Sequence, residues 1–149
     1  MAGIYLNNNV GVKLATAAAP TIPSVDISSL VSAVTLTQIV DELEVTSMGD
    51  FSHRYVSGLQ AANLTISFFN DWGATQVMTT LNSAFGQTLA LSMITVKGTA
   101  VSATNPSYQF SILVNNLTPV GSGGVADEAS SSLTFTVNTV VTVSTTVAF

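Results

Sequence analysis

The 149-residue sequence contains no cysteine. Disulfide staples and thiolate metal sites are therefore excluded. It has one histidine, His53, so a single chain cannot assemble a multi-histidine metal site. Three basic residues, Lys13, Arg54 and Lys97, stand against eight acidic ones, for a net charge of −5. Tight binding of nucleic acid takes several Lys or Arg contacts to phosphate, and this chain cannot supply them. Charge of either sign is scarce: 7% of the residues are charged, where soluble domains carry about 25%. No stretch approaches the roughly 20 apolar residues of a membrane-spanning helix. The opening residues, Met1 to Leu6, have neither the basic region nor the long apolar region of a secretory signal.

What remains is apolar. Hydrophobic residues make up 47% of the chain and the mean hydropathy is +0.52. A surface without charge is kept from aggregating by lipid or by permanent contact with protein. The final residues, Val143-Ser144-Thr145-Thr146-Val147-Ala148-Phe149, resemble the last strand of an outer-membrane barrel. Such barrels need export and aromatic girdles, and aromatic residues are only 7% of the chain. Protein contact without membrane insertion is the expectation.

The dominant period is two. Leu133, Phe135, Val137, Val141, Val143 and Val147 share one parity, with Thr, Ser and Asn138 on the other and Val140 the exception, which predicts a long half-buried strand or two strands bent near Thr139. Leu64, Ile66 and Phe68 alternate with Asn63, Thr65 and Ser67. Tyr108, Phe110, Ile112 and Val114 form a third case, and weaker strands are expected over 10–14, 31–36, 43–47 and 89–96. One helix is predicted over about residues 72–85, capped by Asn70-Asp71 and stopped by Gly86, with Trp72, Val77, Met78, Leu81 and Phe85 on a sheet-packing face. Residues 17–23, rich in alanine and proline, read as a connector, and 98–106 and 119–128 as loops. The length fits one domain, 1–149, with an N-terminal arm over about 1–23 and a C-terminal strand or arm over about 130–149. The expected fold is mainly β: an antiparallel sandwich or small barrel with one flanking helix.

No constellation supports an enzyme. Asp50, His53 and Ser52 or Ser57 offer the residue types of a catalytic triad but no spacing that fixes one; a polar loop with a surface ion pair is the stronger reading. The acidic cluster Asp41, Glu42 and Glu44 lacks the spacing and glycine of a calcium loop. Gly121-Ser122-Gly123-Gly124 precedes Asp127-Glu128 without the Lys-Ser/Thr pair of a phosphate loop. Asn63 and Asn116 open glycosylation sequons, which matter only in a secreted chain. No cofactor or metal is expected.

A family resemblance runs from about Asp26 onward. After Val34-Thr35-Leu36-Thr37, the chain reads Asp41-Glu42-Leu43-Glu44-Val45-Thr46-Ser47-Met48-Gly49-Asp50. It continues with Arg54-Tyr55-Val56-Ser57-Gly58-Leu59, then Leu64-Thr65-Ile66-Ser67-Phe68 and Asp71-Trp72. An acidic strand end, a polar loop, a Gly-Leu step, a strand and Asp-Trp before a helix, in that order, resemble the tail tube (major tail) proteins of long-tailed bacteriophages. The segment from Val101 to Tyr108 and the turn Leu117-Thr118-Pro119-Val120 fit the same pattern. Met48 departs from it where an aromatic residue is common, as does the stretch around Pro20, which bears on the path of the N-terminal arm.

The resemblance implies a β-sandwich with a flanking helix, six copies joined into a ring, and rings stacked into a tube that conducts the genome. The implied partners are copies of the chain itself and the tape measure, tail terminator and tail tip or baseplate proteins, with DNA only in transit. The implied location is the virion tail, assembled in the host cytoplasm. Six copies at −5 each would sum to about −30, which disfavours phosphate adhesion. Asp41, Glu42 and Glu44 are the expected lumen-lining residues. The loop over 48–58, with Met48, Asp50, His53, Arg54 and Tyr55, is the expected ring-to-ring contact, against the plainer reading of a solvated hairpin loop. The chain ends, 2–23 and 141–149, are candidates for reaching a neighbour. Rival readings are a tail terminator or capsid decoration protein, a β-rich adhesin or pilus-like subunit, and, weakest, an enzyme around His53.

Overall fold

The alternating segments fold as eight strands and one short helix in a computed structural model, which describes residues 9–16, 22–121 and 124–149. The strands are β1 (Gly11–Ala15), β2 (Pro23–Asp26), β3 (Val31–Glu44), β4 (Tyr55–Phe69), β5 (Thr88–Ile94), β6 (Ser107–Leu113), β7 (Ser130–Val137) and β8 (Thr142–Ser144). The helix α1 (Val77–Ser83) lies between β4 and β5. One sheet takes all the strands in the order β2-β1-β5-β6-β7-β4-β3, with β8 added on β6, and each pairing is antiparallel. The sheet does not close, because β2 and β3 at its two ends are not paired with each other.

Period-two burial builds the core. Leu133, Phe135 and Val137 of β7 point inward while Ser132, Thr134 and Thr136 stay exposed. Ala62, Leu64, Ile66 and Phe68 do the same on β4. The sheet curls so that strands far apart in its order share one interior. Leu14 of β1, Phe68 of β4, Ile112 of β6, Phe135 of β7 and Val77 of α1 all line one apolar void of only about 10 Å³. Phe68 and Phe135 are fully buried, each contributing about 1.5–3 kcal/mol of transfer free energy. This is the mainly β, helix-flanked fold that the periodicity predicts, as a curled open sheet.

The helix is shorter than its sequence pattern. Asp71 turns its carboxylate onto the Gly73 amide at 2.8 Å, a local bond that competes with helical pairing. Thr75 then adopts a left-handed φ of 60°, so regular helix begins only at Val77. Val77, Met78 and Leu81 are buried as expected, but Trp72 and Phe85 lie beyond the helix and are half exposed. Gly86 makes the expected left-handed turn at φ 80°.

Among the described residues, both flanks of the chain are tied into the sheet. Residues 11–15 of the expected N-terminal arm are β1, held between β2 and β5; residues 1–8 and 17–21 lie outside the described residues. At the other end the strand bends where expected, and 142–149 fold back on the same chain. There β8 pairs with β6, the Ser107 hydroxyl donates to the Val147 carbonyl at 3.0 Å, and Phe149 lies on Gly11. A Cβ on Gly11 would come within 2.7 Å of the Phe149 ring, so glycine is required for that contact. Lys13 sits 4.5 Å over the same ring and donates to the Phe149 carbonyl at 2.9 Å.

Two polar fastenings hold the β5–β6 loop. Lys97 pairs with Asp26 of β2 at 2.7 Å. Partial burial pushes the Asp26 carboxyl up, but hydrogen bonds from Lys97 and Ser28 outweigh it and hold the pKa below its ordinary value. Asn105 is buried, and its amide accepts from the Thr95 hydroxyl and the Val96 amide and donates to the Val96 and Thr99 carbonyls. The Asn105→Ala substitution leaves these backbone groups without partners. It is expected to destabilise the chain by about 1–3 kcal/mol in a urea titration; an unchanged midpoint would mean the loop is held by other contacts.

Candidate functional site: an exposed hairpin arm

β3 and β4 pair along their whole length, from Val31 opposite Phe68 to Glu44 opposite Tyr55. β7 covers β4 only between Asn63 and Phe69. Past Asn63 the two strands continue as a two-stranded ribbon. The burial alternation of β4 is lost there: Tyr55 to Ala61 are exposed on both faces, apart from half-buried Gly58. On β3, every residue from Thr37 to Glu44 is exposed. The ribbon nevertheless carries Ile39, Val40, Leu43, Val56 and Leu59, the last 80% exposed. An isolated ribbon of this kind is marginally stable in water.

A bulge shapes the arm. Val40 faces Gln60 and Glu42 faces Ser57, so Gly58 and Leu59 together oppose Asp41. A Cβ at Gly58 would approach the Asp41 Cβ to 3.0 Å and the Leu43 side chain to 3.3 Å, so the glycine permits this close pairing. Strand alternation places Asp41 with Thr37, Ile39 and Leu43, and Glu42 and Glu44 with Val40 on the opposite face. The three acidic residues expected on one wall therefore divide between two faces. They converge on no common ligand site, and among the described residues no group of three His, Cys, Asp or Glu side chains does.

The tip is ordered by polar contacts. The Asp50 carboxylate accepts from the Ser47 amide at 2.8 Å and hydroxyl at 2.9 Å, closing a turn in which Gly49 takes a φ of 102°. The amide of Ser47, its hydroxyl and Arg54 at 3.6 Å together hold the Asp50 carboxyl below its ordinary pKa. Glu44 is contacted by His53 Nδ1 at 2.6 Å and by the Thr46 hydroxyl at 2.8 Å, and these bonds, His53 foremost, lower its pKa. The Thr46 hydroxyl in turn accepts from the Arg54 amide at 2.9 Å. The His53 ring is 6.3 Å from that of Tyr55. His53 Nδ1 thus faces Glu44 and Asp50 faces Ser47, an arrangement different from a Ser-His-Asp relay. Around this polar scaffold Met48 and Phe51 project into solvent, at 105% and 108% relative exposure.

Met48, Asp50, His53, Arg54 and Tyr55 are therefore brought together at the arm's end. Sequence reasoning missed Phe51 and the ribbon's apolar residues. The signal was a failure of parity: Ile39 and Val40 are adjacent, and Val56 and Leu59 are three apart, so no single face could bury them. A second exposed apolar group lies at the opposite end of β4. Phe69 ends the strand and Trp72 follows it, and Asn70 bonds to Ala129 and Ser131, while Ser131 also reaches Thr118. The loop beyond Thr118 exposes Val120 and Val125. The chain matches no protein-family model and no curated protein.

The Glu44 contact gives a titration test. A lowered carboxyl pKa means that the tip contact is present above the ordinary glutamate value and is lost as pH falls through the lowered one. In carboxyl carbon NMR, Glu44 of the His53→Ala variant is expected to titrate at higher pH than in the native chain. Identical titration curves would remove His53 from the account of the tip.

Proposed function

We propose that this chain is a structural subunit that assembles with copies of itself into rings stacked as a tube, in the manner of phage tail tubes. The observation that carries this reading is the pair of exposed apolar groups at opposite ends of β4. Fifteen residues of strand separate the tip from the Phe69–Trp72 end, about 50 Å at strand rise. Two different patches at opposite ends suit a head-to-tail contact, which repeats along an axis instead of closing as a dimer. The second support is β3, an edge strand of 14 residues with neither Lys nor Pro to blunt it. Pairing of this edge with a different open edge of the next copy would join subunits side by side around a ring. The third is the arm's exposed Ile39, Val40, Leu43, Val56 and Leu59, which can be buried between copies without the cost of desolvating charge.

On this reading Met48, Phe51 and the Asp50–Arg54 and Glu44–His53 pairs make the contact between successive rings. The ring of six, the tape measure, terminator and tail tip partners, and a place in the virion tail come from the family resemblance. The function is conduction of DNA without chemistry.

Negative-stain electron microscopy of the purified chain tests it. Hollow tubes with a regular axial repeat are expected. Closed single rings would favour a terminator, and a monodisperse monomer at all concentrations would end the proposal. In the Met48→Ser, Phe51→Ser double variant the tubes are expected to be lost while far-UV circular dichroism is unchanged, because removing buried anchors of a contact costs about 2 kcal/mol or more per copy.

A further inference from the structure

One face of the sheet presents a regular set of small, uncharged polar side chains. It is the outward face of β3, β4 and β7 below the arm. Thr35, Thr65 and Thr134 stand side by side across the three strands, and Thr37, Asn63 and Thr136 form the next row. Ser67 and Ser132 continue the grid beside Ala33. Strand geometry spaces such a grid at about 4.8 Å across and about 6.7 Å along. Thr65 and Thr134 are hydrogen-bonded at 3.2 Å, and Ser67 donates to Ser132 at 2.9 Å. The grid rows hold no charged and no large apolar side chain. The three cations lie elsewhere: Lys13 on β1, Lys97 after β5, and Arg54 at the arm's tip.

The same three strands turn Leu36, Leu64, Ile66, Leu133 and Phe135 to the core on the other side, where α1 packs. The grid therefore lies on the side of these strands away from the core, and α1 and the strands that close the core lie on the other. Interface cores between proteins are enriched in aromatic and apolar side chains, which the grid lacks, so it suits a wall left wet. If copies join through the bare β3 edge, this face runs on from one subunit to the next. The side with α1 then takes the longer, outer circumference.

We propose that this hydroxyl and amide grid is the inner wall of the assembled tube and the surface that faces the DNA in transit. The inference rests on the tube reading above. It replaces an acidic lumen with a neutral one, since of the acidic cluster only Asp41 falls on the grid's side of β3. The wall slides past a polyanion because it offers phosphate no cation to bind and holds water through its hydroxyls.

The absence of native cysteine allows a direct test. Tubes of the Thr37→Cys and Thr136→Cys variants, two exposed positions on separate strands, are treated intact with biotin-maleimide, then with streptavidin, and imaged. Asn82→Cys, on the exposed side of α1, is the outer-wall control. Both grid variants are expected to take up biotin yet show no streptavidin along the tube wall, while the Asn82→Cys tubes are decorated along their length. Streptavidin on the wall at either grid position would overturn the inference and leave the tube reading standing. So would loss of biotin uptake on assembly, which would make the grid a contact between copies. If the native chain forms no tubes, the tube reading itself fails and takes this inference with it.

Discussion

A β-ribbon can hide apolar side chains only where a third strand and a second layer reach it. In this chain the reach of β7 sets that limit. β7 pairs with β4 up to Asn63 and then leaves it for β6, where Val137 and Thr136 face Ile112 and Leu113. Below Asn63, β4 is an ordinary core strand with Leu64, Ile66 and Phe68 buried. Above it, the same strand and its partner β3 stand alone with Ile39, Leu43, Val56 and Leu59 exposed. One strand is thus half core and half arm, and the divide is a change of pairing partner.

The shortage of charge follows the same divide. The proximal sheet shows Thr, Ser and Asn to solvent on its outward face, and these residues have good strand propensity or pair across strands. The arm concentrates much of the remaining charge at its far end, where Glu44, Asp50, His53 and Arg54 bond to one another and to the turn backbone. These exposed pairs are worth little as stability. Their use is to hold a tip in one shape so that Met48 and Phe51 project from it, which lowers the ordering cost of any contact made there. As proposed, the arm supplies contact along an axis, the β3 edge supplies contact around it, and the hydroxyl face is left to water.

Much of this was legible in the residues. The alternation over Leu133 to Val137 and Leu64 to Phe68 marks two strands of the core, and Val77, Met78 and Leu81 mark the buried side of the helix. The bend near Thr139 is real, with the Thr139 hydroxyl accepting from the Ser111 amide at 2.9 Å. Three things were not legible. The length of β3 and β4 was hidden because their distal halves follow no single parity. Trp72 looked like core because local spacing cannot register the Asp71 turn and the left-handed Thr75 that end the helix early. The division of Asp41 from Glu42 and Glu44 depends on strand geometry where composition shows only a cluster. The positions grouped at the tip were found because the loop joining two strands must bring its residues together, whatever its detailed path.

Hydrogen–deuterium exchange tests the central claim, that the arm is finished by another copy of the chain. In dispersed protein the backbone amides of residues 38–61 are expected to exchange far faster than those of β5 and β6, since a lone exposed ribbon opens at little cost. On assembly the arm should become protected while the core is unchanged. Arm amides as slow as the core in the dispersed chain, or still fast after assembly, would contradict the account.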